Sequence, residues 1–326
     1  MIELVQCDNK FAGSGSTDCA TRLVYDEGIH YVVGPTWFGD AVDPIFTQGK
    51  TVYSAIDVVF MPFPESPYRL NAVTSATAWE DNWYRLCHQF HPEVKTVVAI
   101  APQTQGEAFI EGAQKVAPAL GITILDTVLY PAGTTDFYPV LTSILAKNPD
   151  AIEGCSGPPG EFALIVKQAR ELGYKGWFWF GCGAPTSTFL EVAGPANAWK
   201  IATNIEDYTA LIYSGRVQEL NREWLQKYAS PPGRTDLPLV TTSAYNIVML
   251  YKAAIEKAGS IEPDKVMQVM DDPNFTFATF AAEDVRLGGI QSYGIRRQIP
   301  HATSYGEIVD ANNVHLSMGE MLSDMP

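Results

Sequence analysis

Residues 95–109, KTVVAIAPQTQGEAF, decide the fold. Thr96-Val97-Val98-Ala99-Ile100-Ala101 is a continuous β-branched and apolar run, the pattern of a strand buried on both faces. A short polar loop follows, Gln103-Thr104-Gln105-Gly106. Beyond it Phe109, Ile110, Ala113, Val116, Ala117 and Leu120 recur at helical spacing on one face. Strand, loop and helix in this order open a crossover unit of a parallel sheet. Ligands of such sheets bind outside the carboxyl ends of the strands, so residues 103–106 stand where a ligand would. The stretch reads as the opening of a second lobe, its first loop facing a cleft.

The same alternation extends both ways. Upstream, residues 2–7 read as a strand, a Gly/Ser break spans 13–16, and a helix turns Ala20, Leu23 and Val24 inward. Strands follow at 30–33 and 51–55, then a Pro-rich loop at 61–67. A helix then carries Ala76, Trp79, Trp83, Leu86, Cys87 and Phe90 on one face, where Trp79 and Trp83 read as core. Downstream, strands at 122–128, 151–155, 177–180 and 200–203 alternate with helices at 137–147 and 161–172 and a short one near Leu190. This predicts an α/β fold of two Rossmann-like parallel-sheet lobes. The tail departs from that beat, with helices at 215–228, at 240–258 and after Pro263, and extended segments with Gly turns from Phe275 on.

Length and composition bound the function. A chain of 326 residues suggests two domains, at roughly 150 residues each. A net charge of -15 argues against nucleic acid as a partner, since phosphate neutralisation needs clustered Lys and Arg, and it suits a monomer kept apart by repulsion. No run of about 18 apolar residues predicts a membrane span. Met1-Ile2-Glu3-Leu4-Val5 carries no secretion signal, which leaves a removed signal and a cytoplasmic chain both open. Cys7, Cys19, Cys87, Cys155 and Cys182 show no zinc spacing and read mainly as buried thiols. Cys155 and Cys182 both close strands of the second lobe; whether they form a disulfide is a matter of geometry.

Catalytic signatures are missing. Gly154-Cys155-Ser156-Gly157 lies at a strand-to-helix junction but lacks the glycine spacing of a nucleophile elbow, so Ser156 reads as a turn or ligand-contacting serine. Neither a P-loop nor G-x-G-x-x-G occurs, no cofactor is expected, and none of the five histidines makes a metal pair. The chain is therefore read as a non-enzyme. Loops at strand ends instead carry groups suited to a small ligand: Trp37, Phe38, Ile56 and Asp57 in the first lobe, and Gln103, Gln105, Ser156, Gly157 and Cys182 in the second.

Three segments carry a family resemblance. Residues 3–10, ELVQCDNK, followed by Val32-Val33-Gly34-Pro35, resemble the first lobe of periplasmic binding proteins of the branched-chain amino acid type. Residues 130–137, YPAGTTDF, resemble that family's strand-to-helix link in the second lobe, and Gln168-Ala169-Arg170-Glu171-Leu172-Gly173 the end of its next helix. The resemblance implies a periplasmic or extracytoplasmic receptor that closes two lobes on a solute and hands it to the membrane permease of an ABC transporter. It also implies a three-segment hinge crossed near residues 102, 237 and 290. The lobes would then comprise 1–102 with 237–290, and 103–236 with 291–326. A sensor domain of the same fold and, more remotely, a serine hydrolase using Ser156 are the rival readings.

Two departures from the family matter. Members usually begin with a further strand, Gly-rich loop and helix before the strand at Ile2, so the first sheet is expected to have a gap at its middle. The residues that hold an amino acid are also replaced. A serine and a threonine that hold its carboxylate fall at Phe38 and Val58, and a tyrosine falls at Gln105. The acid that pairs with its ammonium falls in Gly181-Cys182-Gly183-Ala184, which holds none. A buried ammonium without a partner is costly, so the expected ligand is an aromatic or apolar organic acid and not an α-amino acid.

Overall fold

The computed structural model describes residues 3–10, 12–34, 38–55, 66–72, 74–103, 106–154, 156–181, 186–204, 215–228, 239–280, 282–290, 296–300 and 302–322. Two compact units divide the chain. One takes Met1–Ser75, Pro238–His301 and Ser323–Pro326; the other takes Ala76–Leu237 and Ala302–Leu322.

In the second unit the apolar run becomes β3 (Thr96–Pro102), buried from Val97 onward. It sits inside a seven-stranded sheet of order β4-β3-β5-β6-β7-β8-β9. The neighbours are β4 (Thr123–Tyr130), β5 (Ala151–Gly154), β6 (Trp177–Phe180) and β7 (Ile201–Thr203), all parallel to it. β8 (Ala302–Asp310) and β9 (Asn313–Leu322) close the far edge as an antiparallel hairpin. Side chains alternate across a strand, so each sheet face has its own helices. Ile152, Phe178 and Phe180 face a core with Leu141 and Ile144 of α5 (Tyr138–Leu145) and Phe162, Ile165 and Val166 of α6 (Pro159–Glu171). The opposite face carries Glu153 and Trp179 toward Tyr84 of α3 (Ala76–Phe90), and α3 packs on α4 (Gly106–Val116) through Trp79 and Phe109. Trp79 and Trp83 are buried, as their place in the helix stripe predicts. A helical turn at 186–193, begun by α7 (Thr186–Thr188), lays Phe189 on Phe180, and α8 (Gly215–Tyr228) follows β7.

The first unit holds α1 (Gly13–Thr21), α2 (Gly39–Gln48) and the short parallel pair β1 (Tyr53–Ala55) and β2 (Arg69–Asn71). Single bridges Tyr31↔Val52 and Asn71↔Gln298 extend that pair on both sides. Ala20, Val42, Phe46, Tyr53 and Ala55 form its core. α9 (Leu239–Ala258) and α10 (Pro263–Met270) complete it, with the Tyr251 hydroxyl donating to Val32 O at 3.0 Å.

Several expectations need correction. Residues 3–9 are not a strand: a strand needs a ladder, and among the described residues none is formed there, while Leu4 is 72% exposed. Side chains fasten this segment instead. Arg22 Nη2 donates to Gln6 O at 2.8 Å, Asn9 Nδ2 donates to Ser16 Oγ at 3.0 Å, and Cys7 is joined to Cys19 by a disulfide. The expectation of thiols thus fails for Cys7 and Cys19 and holds for buried Cys87. Cys155 and Cys182 lie outside the described residues. Residues 30–33 reduce to the single bridge at Tyr31. Among the described residues no helix is long and apolar enough to cross a membrane.

Candidate ligand site

The carboxyl edge of the second unit's sheet gathers the exits of β3, β4, β5, β6 and β7. Gln103 leaves β3 with its N–H donating to Tyr130 O at 2.8 Å, which binds the ends of β3 and β4 together, and its side chain is exposed. Gly106 then starts α4 hard against β3: a Cβ there would stand 2.1 Å from Ala101 Cβ, so only glycine lets the helix begin this close. At the end of β5, Ser156 is partly exposed with φ of 51°. That left-handed conformation costs a non-glycine residue about 1 kcal/mol and is found where surrounding structure enforces it, often at ligand sites.

Gly157 comes next and has no room for a side chain. A Cβ would meet Phe162 Cε1 at 2.7 Å and the Tyr130 hydroxyl at 2.9 Å. Backbone, aromatic ring and phenol therefore converge at one point of the edge. Phe162 is stacked on Phe180 at 4.6 Å and Tyr130 stands edge-on to Phe137 at 5.0 Å, so both rings are held by packing. Glu161, beside Phe162, accepts the Gly133 N–H at 2.8 Å and holds the turn that follows β4. At the β6 exit, Trp79 Nε1 donates to Gly181 O at 2.8 Å. At the β7 exit, Asn204 Oδ1 accepts the Ser304 N–H at 3.0 Å and its hydroxyl at 3.1 Å.

The structure thus brings Gln103, Ser156 and Gly157 of the expected set to one sheet edge. In the first unit Phe38 caps α2, its carbonyl accepting the Ala41 and Val42 N–H groups at 3.1 and 3.3 Å, and its ring reaches toward the start of α1 at Gly13. Asp40, in the first turn of α2, pairs with buried Arg69 at 2.7 Å. Trp37, Ile56, Asp57, Gln105 and Cys182 lie outside the described residues, as does Val58. Sequence reasoning did not single out Tyr130 as a site residue. The available signal was its place as the last residue of a strand beside the Ser156-Gly157 turn. Among the described residues no cluster of His, Cys, Asp and Glu is arranged to hold a metal.

The profile of the family described as periplasmic binding protein matches residues 1–298. The chain belongs to that family. Solved structures agree on the fold. The leucine binding protein LivK of Thermotoga maritima is 19% identical over 99% of this chain and 87% of its own, with a TM-score of 0.74. The branched-chain amino acid substrate binding protein LivJ of Streptococcus pneumoniae, solved with isoleucine, is 17% identical over 98% and 86%, with a TM-score of 0.73. A solute binding protein of an ABC transporter from R. palustris, solved with 4-hydroxybenzoate, is 19% identical over 97% and 84%, with a TM-score of 0.71. At these identities the likeness speaks for the fold alone: two α/β lobes of the type I periplasmic binding protein kind.

Proposed function

We propose that this periplasmic binding protein is the extracytoplasmic solute receptor of an ABC transporter, and that its solute is an aromatic or apolar organic acid and not an α-amino acid. The observation that carries the ligand class is the stretch after β6, Gly181-Cys182-Gly183-Ala184, which has no carboxylate to meet an ammonium group. Desolvating a charged amine without a partner costs more than a binding protein can recover from apolar contacts. The described edge offers other chemistry: a serine hydroxyl, a glutamine amide and rings of Tyr130 and Phe162 packed beneath Gly157. Such a set suits an apolar body with a few hydrogen-bonding groups. Relatives of this fold hold isoleucine in one case and 4-hydroxybenzoate in another, so the fold itself accommodates either class and the choice rests on the residues.

In this reading Phe38, Gln103, Ser156 and Gly157 contact the solute, joined by Trp37, Ile56, Asp57, Gln105 and Cys182. The lobes close on it, and the closed form is what the permease recognises. The Cys7–Cys19 disulfide supports the compartment, because disulfides persist where the surroundings are oxidising.

The test is native mass spectrometry of the purified protein followed by calorimetry against leucine, isoleucine, benzoate, 4-hydroxybenzoate and related acids. An aromatic acid binding at micromolar affinity or better, with the amino acids silent, is expected. Sub-micromolar leucine or isoleucine binding overturns the ligand class and leaves the receptor standing. Silence across a wide solute panel counts against the receptor reading itself.

A further inference from the structure

The other side of the β5 exit holds a cluster that solute binding does not use. Glu80 of α3 and Glu153 of β5 are both wholly buried and face each other where α3 covers the sheet, with Tyr84, one helical turn on from Glu80, bonded to Glu153. Two charged carboxylates so close in a dry site repel, which favours a proton on one of the pair. The Tyr84 hydroxyl donates to Glu153 Oε2 at 2.6 Å, which keeps that carboxyl in place as the acceptor. Glu80 Oε2 is buried with no hydrogen-bond partner among the described residues, a setting that penalises a charged carboxylate more than a neutral carboxylic acid. Burial first, and the neighbouring Glu153 second, push Glu80 well above the usual carboxylate range.

The sheet register extends the cluster. Ala99, Glu153, Trp179, Ala202 and Glu307 are paired in turn across β3, β5, β6, β7 and β8, so all share the face that α3 covers. The titratable groups there are Tyr84 and Cys87 of α3, Tyr305 and Glu307 of β8, and His91, which lies 3.1 Å from Glu307 and 3.2 Å from Glu93. From α4 the residue facing Glu80 is Gly112, a Cβ at which would stand 3.1 Å from Glu80 Cγ. The Cys87 thiol is pushed far up by burial and by Glu153, Glu80 and Glu307, and Tyr305 is raised likewise by its burial, so neither competes with the glutamate pair near neutral pH.

We propose that Glu80 and Glu153 share one proton and act as a pH latch between α3 and the edge that carries Ser156 and Gly157. Loss of that proton places two like charges in contact in a dry site and drives α3 from β5. α3 also grips the next exit, through Trp79 on Gly181, so its loosening frees two of the strand ends at that edge together. The inference stands apart from the solute reading, because its readouts need no ligand.

The sign follows from linkage. A carboxyl whose folded pKa lies above its unfolded value binds more protons folded than unfolded, so stability falls as pH rises between the two. The experiment is thermal unfolding of the ligand-free full chain from about pH 5 to about pH 9, for the wild type and Glu80→Gln. The glutamine amide donates permanently to Glu153 and removes the titration. The wild-type midpoint should fall by roughly 3–5 °C per pH unit more than that of the variant. Amide exchange at residues 151–157, corrected for its intrinsic pH dependence, should accelerate with pH in the wild type only. Equal slopes, or equal exchange, overturn the latch. Should Glu80→Gln fail to fold, infrared spectra of the wild type decide: the carbonyl stretch of a protonated carboxylic acid must persist at neutral pH and disappear on alkaline titration. Its absence at neutral pH overturns the shared proton directly.

Discussion

Gly157 is where a single methyl group should separate binding from folding. An alanine there must push Phe162 or the Tyr130 hydroxyl aside, since its Cβ would lie 2.7 and 2.9 Å from them. Overpacking of this kind costs about 1–3 kcal/mol of stability. Because both rings lie beneath the Ser156-Gly157 turn, Gly157→Ala should also weaken solute binding by at least about tenfold, where 1.4 kcal/mol suffices. Calorimetry with the solute from the panel, beside a melting curve, separates the two effects; unchanged affinity would remove Gly157 from the site. The cysteines make a second case. Five cysteines with no recognisable spacing leave the pairing open, and only the return of α1 toward residues 3–9 brings Cys19 to Cys7. Closing a loop of 12 residues restrains the unfolded chain by about 3 kcal/mol. Cys19→Ser should lower the melting point accordingly, and reductant should lower that of the wild type but not of the variant.

At the scale of elements, two of the segments that carried the family resemblance turn out to hold each other. The Phe137 N–H donates to Gln168 Oε1 at 2.6 Å, and Gln168 Nε2 donates to Thr135 O at 2.8 Å. α6 thus reads the backbone of the 130–137 link with one side chain, and Glu161 adds the Gly133 N–H. Arg170, from the same motif, donates to the carbonyls of Tyr174, Gly176 and Trp199 at 2.8, 3.1 and 2.6 Å and lies 3.5 Å over the Trp199 ring. Gln168→Ala leaves the buried Phe137 N–H unpaired, at a cost of about 1–3 kcal/mol, where Gln168→Glu keeps the acceptor. The alanine variant should therefore melt well below the glutamate one; equal melting points would mean that water replaces the amide. β6 was legible to the residue because Trp177-Phe178-Trp179-Phe180 is apolar on both faces. α2 was not, because Pro44 stands inside it and a proline reads as a helix breaker. β2 was missed because its ladder with β1 is only three residues long and contains Arg69, whose charge is answered by Asp40 from a distant helix. Its burial depends on a partner that no local pattern contains.

Across the whole molecule, the two-lobed plan was readable because parallel strands and crossover helices repeat locally, whereas closure of the second sheet was not. β8 pairs with β7 about a hundred positions earlier in the chain, Ile201 opposite Ile308 and Thr203 opposite Gly306. The signal for its hairpin was the Asp310-Ala311-Asn312-Asn313 turn, where the Asn312 N–H donates to Asp310 Oδ1 at 2.8 Å. The signal for its destination was absent. That destination matters energetically. Tyr305 is fully buried, stacked on Phe90 at 4.5 Å and set 5.7 Å from Trp83, and Ile308 joins the core on the opposite face. Each contributes about 1.5–3 kcal/mol by burial alone, and removing the hairpin also strips β7 of its ladder partner. The loss approaches the roughly 5–15 kcal/mol that holds a domain folded. A chain ending at residue 300 should therefore lose the cooperative unfolding of the second unit and expose a strand edge prone to pairing with other copies. Tyr305→Ala, at a cost of about 3–5 kcal/mol, should leave the unit folded with a lowered melting point. Circular dichroism melts of both proteins decide the matter. If the truncated chain melts cooperatively near the wild-type temperature, the hairpin is an accessory of the sheet, and the α3 face on which the proton latch depends is held by α4 and β5 without it.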